Sequence, residues 1–292
     1  MKAFPCVSGT ALVVAHPGHE ILLYNLLETT RPRVFVLTDG SGRSGVSRIE
    51  STSKLLREIG IRRGALFGQL TDQEVYRALI DHDHALFCEL VDQLAESFAD
   101  SNIHSVVTDA AEGYCSTHDI CHLMTVVAAS IAERKARRSI DVLDYAVVGR
   151  PDPNQQRIRP GIILRKIDDQ AFQRKIKAAR TFYPDLIKQL EQALDHPDGE
   201  SAKLQGMTPL ADNLTGGLND FRTECLRPID AAQSALLSFH GIRYYETHGE
   251  ASVRAGHYQH VIRFDEHILP LIEDLQQHAV RTVHERATST HN

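Results

Sequence analysis

Tryptophan is missing altogether, methionine occurs three times, and the five cysteines (Cys6, Cys88, Cys115, Cys121, Cys225) include no C-x-x-C pair. An odd, irregularly spaced set makes no disulfide framework and suits reduced thiols in a cytoplasmic protein. No run approaches the roughly 20 apolar residues that a bilayer span requires. The first residues carry no basic segment leading into an apolar core, so no secretory signal is expected. A net charge of −6 gives no electrostatic basis for binding nucleic acid or an anionic membrane. Internal repeats are absent too.

What is present is ordinary in bulk and unusual in one residue type. Hydrophobic residues make up 42% and charged residues 24%, which excludes a disordered or collagen-like chain. The 292 residues suffice for one large domain or two small ones. Histidine occurs 16 times, more often than cysteine and methionine together.

Short β-branched runs mark strands buried on both faces: Thr10 to Ala15, Arg33 to Leu37 and Ser105 to Thr108. Arg63 to Phe67, Tyr145 to Gly149 and Gly161 to Leu164 are further strand candidates. Helical patterns fall between them, at Glu20 to Leu27, Glu50 to Ile59, Phe87 to Phe98 and Asp119 to Ala136. This alternation predicts an α/β fold, a Rossmann-like and mostly parallel sheet with helices on both faces. After about residue 168 the strand signal fades, and Asp168 to Leu194, Ile229 to Phe239 and Asp265 to Thr282 read as helices. The expected division is a core over residues 1–167 and a mainly helical extension over 168–292 packed on it.

Ligands of open parallel sheets bind beyond the carboxyl ends of the strands. The loops expected there hold His16-Pro17-Gly18-His19-Glu20, Thr38-Asp39-Gly40, and Glu112-Gly113-Tyr114 followed by His118-Asp119-Ile120-Cys121-His122. Histidines from two distant stretches therefore converge on one end of the sheet. Three protein ligands with an open fourth position are the usual layout of catalytic zinc, although imidazole also suits other divalent transition metals. Asp81-His82-Asp83-His84 and the run His257, His260 and His267 have no such placement and are read as background. Cys115 and Cys121 flank the expected site without recognisable partners and are read as bystanders.

At the same residues the chain resembles the PIG-L/LmbE family of zinc-dependent N-acetylglucosaminyl deacetylases. The family's A-H-P-D-D-E is matched by Ala15-His16-Pro17-Gly18-His19-Glu20, and its T-D/N-G loop by Thr38-Asp39-Gly40. Its Arg and Glu before an L-G-hydrophobic helix end are matched by Arg48, Glu50 and Ile59-Gly60-Ile61. Its G-Y-x-H-P-D-H is matched more loosely by Gly113-Tyr114 and His118 to His122. The resemblance runs over roughly residues 8–135. It implies Zn2+ on His16, His19 and His122, with His118 as the alternative third ligand. His118 and Asp119 would then steady the oxyanion.

The family's general-base Asp falls on Gly18, so Glu20, Glu112 or Asp119 is expected to substitute. The exchange of a carboxylate ligand for His19 raises the site's charge by one unit and favours a more acidic bound water. Arg48, Tyr114 and Glu112 fall to substrate binding. The activity implied is removal of an acetyl group from an N-acetylated sugar or glycoconjugate in the cytoplasm, compatible with a homo-oligomer. The alternative is a non-hydrolytic member that binds a sugar or nucleotide-sugar.

Overall fold

The computed structural model describes residues 9–151, 161–195, 214, 216–229 and 243–289. Its centre is a sheet built on β1 (Thr10–Val14), β2 (Arg33–Thr38), β3 (Arg63–Leu70), β4 (Ser105–Asp109), β5 (Asp141–Tyr145), β6 (Ile163–Lys166) and β7 (Thr223–Pro228). The strand order is β3-β2-β1-β4-β5-β7-β6. The first five strands pair in parallel, whereas β7 runs antiparallel to both β5 and β6.

Strand alternation explains the layering. Along β1, Ala11 and Val13 point into one hydrophobic cluster while Leu12 and Val14 point into the other. Every residue of β1 is buried, because both faces are covered by helices. One face carries α3 (Asp72–Ile80), α4 (His84–Asp100), α5 (Ser116–Ala136) and α9 (Leu269–Ser289). The other carries α1 (Tyr24–Thr30), α2 (Ile49–Glu58) and α6 (Asp169–Phe182). Each fully buried Leu, Val or Phe in these layers contributes roughly 1.5–3 kcal/mol over its exposed state. None of the helices among the described residues is long and apolar enough to cross a membrane.

Several expectations change. The helix read over Asp168 to Leu194 is two helices, α6 and α7 (Pro184–Asp195), separated at Tyr183. Pro184 opens the second, where a missing N–H costs nothing and the residue before it is pushed out of helical geometry. The strand read over Tyr145 to Gly149 ends at Tyr145 instead. α3 was not expected at all; a capping box between Thr71 and Glu74 starts it. The largest correction is β7. The strand signal does not stop at residue 168, because Thr223–Pro228 inserts between β5 and β6. Its buried Glu224 accepts the N–H groups of Asn25 and Leu26 at 2.8 and 3.0 Å, and Lys175 Nζ reaches the same carboxylate at 3.4 Å. The expected helix over Ile229 to Phe239 lies almost wholly outside the described residues, as does most of the connection from Asp195 to Leu218.

Candidate metal centre

With β1 and β4 adjacent and the chain winding outward from each, the order of the strands reverses between them. Crevices at such switch points, beyond the strand ends, are where open α/β sheets bind ligands. β1 delivers His16 and His19, β4 delivers Asp109, and the N-terminus of α5 delivers Cys115 and His118. The strand ends are held level, since Thr38 donates its N–H to Ala15 O at 3.0 Å. Ala15 in turn donates its N–H to Asp109 Oδ2 at 2.8 Å.

Three imidazoles meet at this point. The ring centroids of His16 and His19 lie 5.2 Å apart, those of His16 and His118 5.1 Å, and those of His19 and His118 4.7 Å. His16, Cys115 and His118 each offer a ligand atom within 4.8 Å of the other two. His16 and His19 keep 11% and 16% of their side chains exposed. His118 is 5% exposed, and its Nδ1 is buried without a hydrogen-bond partner. A buried, unpaired ring nitrogen is costly unless an ion or another donor meets it.

Two rings are held from behind. His16 Nδ1 stands 2.8 Å from Thr38 Oγ1 and 3.0 Å from Asp72 Oδ1. Thr38 spends its own hydroxyl proton on Ala15 O, so His16 Nδ1 carries the hydrogen and Nε2 faces Cys115 Sγ at 3.8 Å. His19 Nδ1 is bonded to Asp109 Oδ2 at 2.8 Å. Carboxylates behind the outer ring nitrogen fix tautomer and orientation in metal-binding histidines.

The electrostatics follow from this crowding. Burial alone would lower His16, but Asp72 and the Cys115 thiol outweigh it and hold it at about 10. Burial also opposes ionisation of Cys115, yet His118 and His16 beside it bring the thiol well below its usual range. His19 goes the other way: burial, then the charges of His118 and His16, take it to about 4 against the pull of Asp109. Asp109 is itself held low by His19, His118 and the Tyr145 hydroxyl, despite burial.

Not every residue singled out in the sequence arrives here. His122 lies one turn deeper in α5, outside the set of converging atoms, with Nδ1 3.0 Å from the carbonyl oxygen of Asp109. Glu20 is buried and pinned: it accepts the Gly18 N–H at 2.8 Å and a short hydrogen bond from the Tyr183 hydroxyl. Thr52 Oγ1 follows at 2.7 Å from that hydroxyl. Glu112 accepts the N–H groups of Val147 and Val148, each at 3.0 Å, and burial raises it to about 7. Asp119 accepts the Gly113 N–H at 3.1 Å and is likewise raised to about 7 by burial.

Arg48 packs against Gly40, where an added Cβ would lie 3.0 Å from its Nε and Nη2, and that Nε is buried without a hydrogen-bond partner. Tyr114 has its ring 6.0 Å from His118 and stacks on Tyr244 at 5.1 Å, so α8 (Tyr244–Arg254) supplies an outer wall.

Asp72 and Asp109 carry no site signal in the sequence, and Cys115, read there as a bystander, instead converges with His16 and His118. Asp72 starts an unexpected helix, and Asp109 reads as the first residue of a loop. Cys115 gains its partners only through the fold, although it stands three residues before His118 at a helix start. Tyr76 also reaches it, its hydroxyl 3.7 Å from Sγ.

No protein-family model matches the chain, and no curated protein does. Among solved structures, the A40926 pseudoaglycone deacetylase is 16% identical at a TM-score of 0.46, covering 76% of this chain and 96% of that one. The zinc-inhibited form of teicoplanin deacetylase is 14% identical at a TM-score of 0.45, covering 75% of this chain and 99% of that one. At such scores the likeness carries no weight for the chemistry of the site, which rests on its own residues.

Proposed function

We propose that this protein is a metal-dependent hydrolase that removes an acetyl group from an N-acetylated sugar or sugar conjugate. The observation that carries the reading is the convergence of His16, Cys115 and His118 within 4.8 Å. Two imidazoles and a thiolate suit zinc, and three protein donors leave a fourth position open. The unpartnered Nδ1 of His118, and His16 held through Nδ1 so that Nε2 faces Cys115, suit an ion held among the three residues. A divalent metal held there supplies Lewis acidity toward an acyl oxygen and toward water.

The chain's own groups do the rest. Asp72 and Thr38 orient His16, Asp109 orients His19, and Tyr145 anchors Asp109 through a 2.6 Å hydrogen bond. Arg48 and Tyr114 flank the opening and take the sugar hydroxyls or the linked group. Residues 1–167 supply the metal-facing side chains, and residues 168–292 supply supports and an outer wall.

One observation favours the second reading, a sugar-binding protein without turnover. Gly18 brings no carboxylate to the centre, and Glu20, Glu112 and Asp119 are all engaged elsewhere. Acetate release by the zinc-reconstituted protein from a panel of N-acetylated amino sugars separates the two. Release that is abolished by chelation supports the hydrolase. Calorimetric binding of the same sugars without release establishes the alternative.

A further inference from the structure

We propose that Tyr76 is a positioning residue for Cys115: its hydroxyl donates a hydrogen bond to Sγ and fixes that sulfur as a ligand. One helix, α3, then backs two of the three converging residues. The assignment rests on the reading of His16, Cys115 and His118 as the ligand set. The first of them already leans on α3, whose opening residue is Asp72. Its Oδ1 stands 3.0 Å from His16 Nδ1, and its Oδ2 accepts the Gly42 N–H at 2.5 Å. Tyr76 follows four residues later, on the same helix face. Its hydroxyl lies 3.7 Å from Cys115 Sγ.

The helix is itself well anchored. The capping box between Thr71 and Glu74 fixes its first turn. Val75, Ala78 and Leu79 are buried in the same cluster as residues of α4 and α5, and Tyr76 packs against that cluster. Asp72 and Tyr76 therefore reach the centre from a rigid element, which holds a site more closely than a loop does.

Cys115 gains more from such support than a residue inside a helix would. It sits just before α5 in extended backbone, with φ −130° and ψ 128°, and its side chain makes no capping hydrogen bond. A cysteine that holds a metal does so as the thiolate, which has no hydrogen to give. In that state the Tyr76 hydroxyl is the donor of the pair. A hydrogen bond to a ligating sulfur restrains its position and draws electron density from it, which tunes the bound metal.

The test uses the full chain, with zinc and cobalt as probes. Zinc affinity is measured by competition with a chromophoric chelator. Tyr76→Phe removes the hydroxyl and keeps the ring; Tyr76→Met repeats the measurement with a flexible side chain should the first variant misfold. Zinc affinity is expected to fall about 10–100-fold, the usual cost of losing a partner behind a ligand. The sulfur-to-cobalt charge-transfer band is expected at longer wavelength, because the sulfur keeps the electron density that the hydroxyl drew away. In a Cys115→Ala background the same Tyr76→Phe change is expected to cost no further affinity, since the hydroxyl acts through the sulfur. Unchanged affinity and band in the Tyr76 variants overturn the assignment, as does an equal loss in the Cys115→Ala background. These results leave the ligand set standing. A wild-type chain whose cobalt form lacks the sulfur band overturns the ligand set and the role of Tyr76 together.

Discussion

Placing aspartate at position 18 is expected to damage the protein rather than improve it. Gly18 has φ 107° and ψ −19°, backbone that L-residues rarely adopt, just before the short helix His19–Leu23. Holding a side-chain-bearing residue in left-handed geometry costs about 1–2 kcal/mol. An added Cβ would also lie 2.9 Å from Leu186 Cδ1, with Tyr183 ring carbons at 3.6 Å. Leu186 is a flexible tip and can give way, so this overpacking belongs near the low end of the usual range, at about 1–2 kcal/mol.

The sum is ~2–4 kcal/mol, and for domains of this size each kcal/mol moves Tm by ~2–4 °C. Gly18→Asp is therefore expected to melt roughly 4–16 °C below the wild type in a thermal scan of the full chain. Gly18→Ala is expected to fall by a similar amount, since the backbone and Cβ terms are shared. Acetate release should not rise. A variant Gly18→Asp that melts with the wild type and turns over faster would refute the reasoning, because it would mean that the turn accepts the side chain and that the centre lacks only its carboxylate.

Three further substitutions probe the same surroundings. Tyr183→Phe removes the hydroxyl that joins Glu20 to Thr52, both fully buried, and should cost ~1.5–3 kcal/mol in chemical unfolding, the range for a hydrogen bond to a charged group. A change below ~0.5 kcal/mol would show that the network carries no stability. Cys115→Ser in cobalt-substituted protein should abolish a sulfur-to-metal charge-transfer band that the wild type displays. A wild-type cobalt spectrum without that band would remove Cys115 from the ligand set. His122→Ala should keep full zinc stoichiometry while losing ~1–3 kcal/mol of stability, because its ring is buried against the Asp109 carbonyl. Zinc loss in that variant would place the third ligand a turn deeper than His118.

The sheet's centre was legible because β1, β2 and β4 are β-branched runs buried on both faces, a pattern that few other structures produce. β7 was not legible, and its composition says why. Thr223–Pro228 carries Glu224 and Arg227, which read as loop residues until the fold supplies partners: two helix N–H groups and Lys175 for one, Asp144 at 2.6 Å for the other. Burial of paired charges is invisible to a hydrophobic pattern. The ambiguity between His118 and His122 is of another kind. Positions i and i+4 share a helix face, so spacing alone does not choose between them. Their depth from the helix start differs by one turn, and it is His118 whose ligand atom converges with those of His16 and Cys115.

The residues beyond 168 act on the centre through two contacts that differ in kind. From the α6–α7 junction, Tyr183 locks Glu20, and Glu20 in turn holds the N–H of Gly18, so the turn carrying His16 and His19 is fixed from the side away from the centre. From α8, Tyr244 donates its N–H to Gly113 O at 2.8 Å and stacks on Tyr114, which fixes the loop leading into Cys115 and His118. A ligand set drawn from two loops holds its geometry only as well as each loop is held, and a displacement of even 1 Å is costly at a reacting centre. Neither loop is held by the sheet alone, because both begin where strand pairing ends. The C-terminal residues therefore bear on the geometry of the His16, Cys115 and His118 cluster, although none of their described residues belongs to it.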